Sequence, residues 1–329
     1  MAQSPKSSDR AERVAKQERE IQSEIDAIDA VKQSDDKKRG PVQTGQRDYP
    51  GHFPSQHLKK PGSEHDLAVQ PMFEAPKYIG SSKLKDMVAL ISGGDSGIGR
   101  AVAVLFAREG ADVAIAYLNE HEDAEETKRA VEKEGRRCIL LPGEISDPAY
   151  CREAVEQTVA QLGKLDILVN NAAFQEHTDD IGDLTDEHFD RTIKTNLYGY
   201  FYLARAAIPH LKEGSSILMT GSVTGLQGSK DLLDYSMTKG GIHAFARSLS
   251  SHLIDKGIRV NVVAPGPVWT PLNPADAPAE DVAKFGSKTP MRRAAQPEEI
   301  APAFVFLAAP ACSSYITGEI LPIIGGYGH

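Results

Sequence analysis

The chain has 329 residues, of which 40% are hydrophobic, and a formal net charge of -9. A chain of this length can bury a sizeable core, so we predict a globular protein of one large domain or two smaller ones. The negative charge argues against nucleic acid or an anionic membrane as the main partner. Because the sequence shows neither a membrane-spanning apolar run nor the apolar core of a secretory signal, we expect a cytoplasmic protein.

The three cysteines of the chain, Cys138, Cys151 and Cys312, are widely spaced and include no C-x-x-C pair. This pattern indicates neither a disulfide framework nor a zinc site. His177 also lacks a second histidine or carboxylate at ligand spacing. We therefore expect packed thiols and no metal site.

The first 82 residues differ in character from the rest. Residues 8–31 are charged and lack Gly and Pro, and their thin apolar stripe predicts a helix with a weak seam. Residues 40–76 are rich in Pro, Gly, Gln and His and predict an extended arm. Two interpretations of the arm stay open, since it could wrap a partner subunit or be largely disordered. We divide the chain into an N-terminal extension (1–82) and an α/β domain (83–329).

The α/β domain begins with an apolar run, residues 88–91, which leads into a glycine loop and then a helical pattern. Glycines allow a tight turn, and a helix N-terminus offers free N–H groups and the positive end of a dipole. This order predicts a turn that binds a pyrophosphate. The turn contains Ser92, Gly93, Asp95, Ser96, Gly97, Ile98 and Gly99.

A repeating order of helix, glycine and strand follows the loop. Glycines that suit a helix C-terminus precede five further apolar runs. They are Gly110, Gly135, Gly163, Gly214 and Gly257. This repeat predicts a parallel sheet with helices on both faces, whose ligands bind beyond the carboxyl ends of the strands.

Tyr235 and Lys239 lie four residues apart at the start of a long helical pattern. On a helix they share one face, and a nearby ammonium stabilises a phenolate and lowers the pKa of the phenol. We expect the pair to transfer protons, and Ser222, after another apolar run, to hydrogen-bond a substrate oxygen. The spacing alone is common in helices, so an ordinary helix contact stays open.

Together these motifs resemble those of the short-chain dehydrogenase/reductase family in its compact branch. The loop is similar to the family's T-G-x-x-x-G-I-G, Asn170-Asn171-Ala172-Ala173 to N-N-A-G, and Tyr235-x-x-x-Lys239 to Y-x-x-x-K. Ser222 and Asn196 stand where the family has its catalytic serine and its helix asparagine. The resemblance covers about Lys83 to His329, and within the family it favours the group related to glucose and ribitol dehydrogenases and bacterial general stress oxidoreductases.

The resemblance implies a single Rossmann-type, doubly wound sheet of about seven strands and reversible hydride transfer between NAD or NADP and a carbonyl or alcohol carbon. Tyr235 then transfers the proton, while Lys239 lowers the pKa of Tyr235 and binds the nicotinamide ribose. Ser222 donates to the substrate oxygen, and Asn196 holds a water that links Lys239 to solvent. The resemblance adds as cofactor contacts Tyr117, Glu144, Ile145, Asn171, Ala172, Ala173, Pro265, Gly266, Val268 and Thr270.

The choice between the two cofactors depends on the residue at the end of the second strand. An acid there usually binds the 2′-hydroxyl of NAD, but this chain has Tyr117. The positions where the family often places an arginine for NADP hold Ser96 and Leu118. We therefore favour NADP slightly and keep NAD open.

The segment after the sixth strand, residues 267–293, predicts a mobile lid with a mostly apolar inner face. We expect Ser222, Gln175 and Trp269 to line the substrate pocket and His177 to lie near its mouth. The substrate is then a small alcohol or carbonyl compound, and the family resemblance implies a homotetramer built through the helices of Asn196 and Tyr235.

Two alternatives stay open. A 3-ketoacyl-thioester reductase shares every motif named, and basic residues in the lid segment would suit an acidic carrier protein. These are Lys284, Lys288, Arg292 and Arg293. A cofactor-binding sensor or scaffold would use the arm as its working part, but it has no need of the proton donor Tyr235.

Overall fold

The computed structural model describes residues 40–276 and 278–326. The helix predicted within residues 8–31 lies outside the described residues. Val42–His329 forms one compact unit, which includes the arm from Val42 onwards. The division at residue 82, drawn where the family resemblance begins, stays a prediction. Among the described residues, no helix combines the length and the apolar character needed to cross a lipid bilayer.

The described residues form a seven-stranded sheet in the order β3-β2-β1-β4-β5-β6-β7. All neighbouring strands pair in parallel. Their carboxyl ends therefore meet at one edge of the sheet. The strands are β1 (Val88–Ser92), β2 (Asp112–Tyr117), β3 (Cys138–Pro142), β4 (Ile167–Asn170), β5 (Ser216–Thr220), β6 (Arg259–Pro265) and β7 (Ile320–Ile323).

Helices cover both faces of this sheet. Their bounds are α1 (Gly97–Arg108), α2 (His121–Lys133), α3 (Pro148–Leu162), α4 (Asp186–Ile193), α5 (Gly199–Ala207), α6 (Thr224–Gln227), α7 (Leu233–Leu253), α8 (Ala279–Ala283), α9 (Pro297–Ala308) and α10 (Pro310–Ser313). Side chains of β1 alternate between two cores, since Ala89 and Ile91 pack with α1 and α9 and Leu90 packs with α5 and α7. This arrangement confirms the predicted doubly wound fold.

The glycines that precede the strands have the left-handed backbone conformation expected of them. The glycines at 110, 135, 163, 214 and 257 all have φ between +66° and +97°. A side chain is strained in this left-handed region, so glycine follows a helix without cost at four of these positions. The exception is Gly214, which lies in a turn four residues after the helical turn Ile208–His210. The order of the strands reverses beside β1, which pairs with β2 on one side and β4 on the other. A ligand crevice is expected at this switch point.

The part of the predicted arm within this compact unit, residues 42–76, contains no regular helix or strand and lies along its own domain. Phe53 stacks on Trp269 with 3.7 Å between the ring centroids, and the Trp269 indole donates to the Val69 carbonyl at 2.8 Å. Leu67 is buried in the same cluster. The described arm is therefore extended, as predicted, but its apolar residues order it against the domain. No local pattern in the sequence predicts that the arm packs on its own domain.

The stacked pair gives a stability prediction. Phe53→Ala removes a buried ring from Trp269, and we expect the free energy of unfolding to fall by about 3 kcal/mol. Urea denaturation measures it, with His52→Ala at the exposed neighbouring position as the matched control. Equal effects of the two substitutions would contradict this packing.

Candidate active site

A cavity of about 830 Å³ opens at the carboxyl edge of the sheet. Its walls come from the glycine loop, the ends of β2, β3 and β4, the start of α7, the lid segment and the arm. Of the predicted site residues it is lined by Gly93, Asp95, Ser96, Gly97, Ile98, Tyr117, Glu144, Ile145, Asn171, Ala172, Ala173, Gln175, Tyr235, Lys239 and Thr270.

The glycine loop has no room for side chains. Gly93 and Gly97 have φ of +61° and +50°. A Cβ on Gly99 would lie 1.9 Å from the Gly93 carbonyl oxygen, and one on Gly93 would lie 2.9 Å from the Cα of Ala172. The N-cap residue of α1, Ser96, makes no side-chain bond to the helix. Close backbone approach and the N-terminal end of α1 fit a bound pyrophosphate.

Hydrogen bonds hold the ends of β1, β4 and β5 together. The Ser92 hydroxyl accepts from the N–H groups of Asn171 at 2.9 Å and Ala172 at 3.2 Å. The Thr220 hydroxyl donates to the Asn171 carboxamide oxygen at 3.0 Å, and the Lys239 ammonium donates to the Thr220 carbonyl at 2.8 Å. The glycine loop and the start of α7 are thereby fixed in one frame.

The structure brings Ser222, Tyr235 and Lys239 together. The Ser222 hydroxyl is hydrogen-bonded to the Tyr235 phenol and also accepts from the Thr224 hydroxyl at 3.0 Å. The Lys239 ammonium lies 5.3 Å from the centroid of the Tyr235 ring. The predicted proton-transfer pair, Tyr235 and Lys239, therefore lines the cavity, and Ser222 lies beside Tyr235 without lining the cavity itself.

Burial controls the titration of the pair on α7. It raises the pKa of Tyr235 above its usual value, and the charge of Asp276 acts in the same direction while the Ser222 hydrogen bond opposes it. Burial also lowers the pKa of Lys239 to about 7. The helical spacing predicts that Lys239 lowers the pKa of Tyr235, whereas in the folded chain the pKa of Tyr235 is raised. Removing both groups from water outweighs an ammonium that is itself close to losing its proton.

Asn196 lies in a π-helical turn, Lys194–Tyr198, between α4 and α5. Its carboxamide accepts from the Phe174 N–H at 2.8 Å and donates to the Phe174 carbonyl at 2.9 Å and the Thr238 hydroxyl at 3.1 Å. Such turns are frequent at functional sites. Asn196 thus joins the loop after β4 to the residue before Lys239.

Eight predicted site residues do not line the cavity: Ser92, Gly99, Asn196, Ser222, Pro265, Gly266, Val268 and Trp269. Ser92, Asn196 and Ser222 are bonded to residues that do line it. Trp269 is fully buried against the arm, and Pro271, Leu272 and Ala275 line the cavity in the lid segment instead. Expecting Trp269 in the substrate pocket was incorrect, because the stacking partner Phe53 is remote in sequence. Pro265, Gly266 and Val268 lie at or just after the end of β6.

Sequence reasoning missed that the arm contributes to the cavity. Lys60, Pro61 and Gly62 are lining residues, and Glu64 accepts the Gly97 N–H at 2.6 Å and pairs with Arg100 at 2.8 Å. The pair Pro61-Gly62 was the available signal, since Pro-Gly favours a turn, but such a pair does not show which surface the turn contacts.

At the end of β2 the cavity is lined by Tyr117, whose hydroxyl lies 2.9 Å from the His121 Nδ1 atom. Arg100 is buried and paired with Glu64, Glu126 and Asp123, so its charge is compensated inside the protein. The preference for NADP over NAD stays a prediction. Across the described ranges, no group of three or more His, Cys, Asp or Glu side chains is placed to hold a metal ion.

Comparisons with known proteins agree with this geometry. The family model described as enoyl-(acyl carrier protein) reductase matches residues 93–328. The chain is 52% identical to general stress protein 39 of Bacillus subtilis over 279 residues, which is 84% of this chain and 97% of that protein. It is 47% identical to NADPH-dependent aldehyde reductase 1 of Arabidopsis thaliana (82% and 96%) and 46% identical to the glucose and ribitol dehydrogenase of Daucus carota (84% and 97%).

Solved structures share the fold. A short-chain dehydrogenase from Burkholderia cenocepacia in complex with NADP is 34% identical, with a TM-score of 0.69 over 74% of this chain and 98% of that one. A 3-ketoacyl-(acyl-carrier-protein) reductase from Brucella melitensis complexed with NADH is 32% identical, with a TM-score of 0.67 over the same shares. Residues 83–329 make up only three quarters of the chain, so the matches of 82–84% to the relatives include part of the arm.

The buried lysine gives a pH prediction. Its pKa is about 7 in the folded chain against 10.5 for an ordinary lysine, so between these values the unfolded state binds a proton that the folded state lacks. Keeping Lys239 buried therefore lowers the free energy of unfolding of the wild type at pH 7, and this destabilisation disappears as the pH rises to about 10.5. We expect Lys239→Met to gain stability relative to the wild type at pH 7 and to lose that gain towards pH 10.5.

Urea denaturation at several pH values between these limits measures the difference. Lys230→Met is the matched control, because its side chain is 91% exposed and the same substitution there removes no buried charge. A difference between Lys239→Met and wild type that does not change with pH would contradict the lowered pKa.

Proposed function

We propose, from the premise that the chain belongs to the short-chain dehydrogenase/reductase family, that it reduces small aldehydes or ketones through Tyr235, Ser222 and Lys239. The chain is an NAD(P)-dependent oxidoreductase that transfers a hydride between the nicotinamide and a carbonyl or alcohol carbon. The observation that carries the finer assignment is the meeting of these three side chains beside a cavity that also contains the glycine loop.

The residues at the carboxyl edge fit a dinucleotide. The glycine loop and the start of α1, apart from the Gly97 N–H that Glu64 accepts, would hold the pyrophosphate. Tyr117 would lie at the adenosine ribose, and Lys239 would bind the nicotinamide ribose. When bound, the nicotinamide supplies the hydride for reduction or accepts it for oxidation. Asn171, Ala172 and Thr270 line the same cavity and would contact its middle part.

Tyr235 serves as the proton donor for reduction. Its raised pKa keeps the phenol protonated at neutral pH, so it can give its proton to the carbonyl oxygen as negative charge develops there. The Ser222 hydroxyl, hydrogen-bonded to Tyr235, can donate to the same oxygen and stabilise that charge. The two hydroxyl groups define where the reacting carbonyl lies.

Lys239 can release and take up a proton close to Tyr235. With a pKa of about 7, it exists in both protonation states near neutral pH. Asn196 is bonded to Thr238, the residue before Lys239, and its carboxamide oxygen has a second lone pair besides the one used by Phe174. We assign to Asn196 the binding of a water that links Lys239 to solvent.

The names of two relatives support an aldehyde, ketone or sugar alcohol as the substrate class: the aldehyde reductase and the glucose and ribitol dehydrogenase. The ketoacyl-thioester alternative needs a basic patch on the lid segment. Arg293 is buried, and its guanidinium pairs with Glu299 at 2.7 and 2.8 Å, so it cannot contribute to that patch, whereas Lys284 and Lys288 are exposed. We prefer the small carbonyl substrate because the names of the two relatives support it.

We also propose a homotetramer and a cytoplasmic location. Exposed apolar side chains on the segment from the π turn into α5, Tyr198 and Phe201, support an interface between copies of the chain. Three free thiols support a reducing compartment.

The role of Tyr235 predicts a large loss of turnover in Tyr235→Phe. We expect kcat/KM for aldehyde reduction to fall by about 10²-fold or more, because the substitution removes the proton donor. The Kd for NADPH, measured by fluorescence, should stay the same. Tyr315→Phe, at a fully exposed tyrosine, is the matched control. Near-normal turnover in Tyr235→Phe would refute the assignment, and wild-type protein that binds cofactor but turns over no carbonyl compound would favour a sensor.

The proposed interface predicts that Phe201→Asp dissociates the assembly. Light scattering should give four chain masses for the wild type and fewer for Phe201→Asp, because a carboxylate is costly to bury between subunits. Ile181→Asp, at an exposed apolar position outside these helices, should leave the mass unchanged. A wild-type mass of one chain would exclude the tetramer.

A further inference from the structure

We propose that the arm builds the substrate end of the active site and that its Lys60 selects carbonyl substrates that carry hydroxyl groups. This inference rests on the proposed reduction of small carbonyl compounds. It concerns a strap of five residues, Lys60–Glu64, whose alternate members contact three different parts of the domain.

The middle of the strap packs closely on the lid segment. Gly62 has φ of +107°, and a Cβ there would lie 2.9 Å from the Pro271 carbonyl oxygen and 3.1 Å from the Ala275 side chain. Both lid residues line the cavity, as does Gly62 itself. The strap therefore forms part of the cavity wall together with the lid segment.

The far end of the strap is fixed at the glycine loop. The Glu64 carboxylate, 1% exposed, accepts the Gly97 N–H and pairs with the buried guanidinium of Arg100. The Glu64 N–H in turn donates to the Asp123 carboxylate at 2.7 Å. A buried carboxylate with these partners holds its backbone strongly in place, so the position of Lys60 is set by contacts outside its own side chain.

Lys60 points its ammonium at the loop that follows β4. Its Nζ atom donates to the Gln175 carbonyl at 3.0 Å and lies 5.0 Å from the centroid of the Phe174 ring. The nearest carboxylate oxygens, of Glu176 and Asp276, are 3.6 and 3.7 Å away. An ammonium has three N–H donors. Within the described ranges only the Gln175 bond is of hydrogen-bond length, so two donors remain for a substrate oxygen.

Asp276 holds the loop after β4, which Lys60 contacts, in place. Its side chain is almost fully buried, and it accepts from the Gln175 amide at 3.0 Å, the His177 N–H at 2.8 Å and the His177 ring. The charge of the same carboxylate contributes to the raised pKa of the Tyr235 phenol. Lys60 and Tyr235 also line the same cavity.

The charge balance indicates which substrate group Lys60 accepts. Two carboxylates, of Glu176 and Asp276, face the Lys60 ammonium and the His177 ring, which is bonded to Asp276, so the cluster has no excess positive charge to attract an anion. A neutral hydroxyl suits it better, because its oxygen can accept from Lys60 while its hydrogen is donated to a nearby carboxylate. The substrate class is therefore a small hydroxylated aldehyde or ketone.

The test compares glyceraldehyde with 2-methylbutanal, in which methyl groups replace both hydroxyls, using NADPH or NADH as the reductant. We expect Lys60→Met to lower kcat/KM for glyceraldehyde about tenfold or more, the worth of one charged hydrogen bond, and to leave that for 2-methylbutanal nearly unchanged. Lys60→Arg should restore much of the loss because it keeps a charged donor. Lys59→Met, at the exposed neighbouring lysine, should leave both values unchanged.

The Kd of the cofactor, measured by fluorescence, separates selection from a structural role, and it should be the same in Lys60→Met and wild type. An equal loss for both aldehydes, or a weakened Kd, would show that Lys60 only anchors the strap and would overturn the inference while leaving the proposed function intact. A wild type that reduces neither aldehyde nor any other carbonyl compound would overturn the proposed function and the inference with it.

Discussion

The active site depends on one run of hydrogen bonds across the carboxyl edge of the sheet. The Ser92 hydroxyl joins the end of β1 to Asn171 and Ala172, and Thr220 continues the connection to Lys239. The three strands are adjacent in the sheet, so these bonds bridge the point where the strand order reverses. The crevice that the fold creates and the groups that act in it therefore share one rigid frame.

That frame holds Lys239 by a carbonyl rather than by a carboxylate. None of the described Asp or Glu residues forms an ion pair with it, and burial accordingly lowers its pKa to about 7. A neighbouring carboxylate would hold the lysine protonated, whereas the carbonyl leaves it able to exchange its proton near neutral pH. The site thus gives up stability for a mobile proton, as expected where function needs a strained environment.

The sequence predicted those features that local patterns determine. The parallel sheet follows from the repeat of helix, glycine and strand, and the loop around Gly93 and Gly97 follows from its place between strand and helix. Contacts between remote segments left no such pattern. Lys60 and Gln175 are 115 positions apart, so the sequence could not predict that the strap crosses the cavity. In the same way, it could not predict that Trp269 stacks on Phe53 instead of lining the substrate pocket. The raised pKa of Tyr235 was missed for a related reason, since helical spacing gives the position of Lys239 but not the burial of either group.

We conclude that this edge of the sheet transfers a hydride to a carbonyl carbon. NADPH or NADH with deuterium at both hydrogen positions of nicotinamide C4, combined with mass spectrometry of the alcohol formed from a small aldehyde, tests this most directly. We expect one deuterium on the former carbonyl carbon for each cofactor oxidised. Alcohol without deuterium, or bound cofactor that is never oxidised by any carbonyl compound, would contradict it.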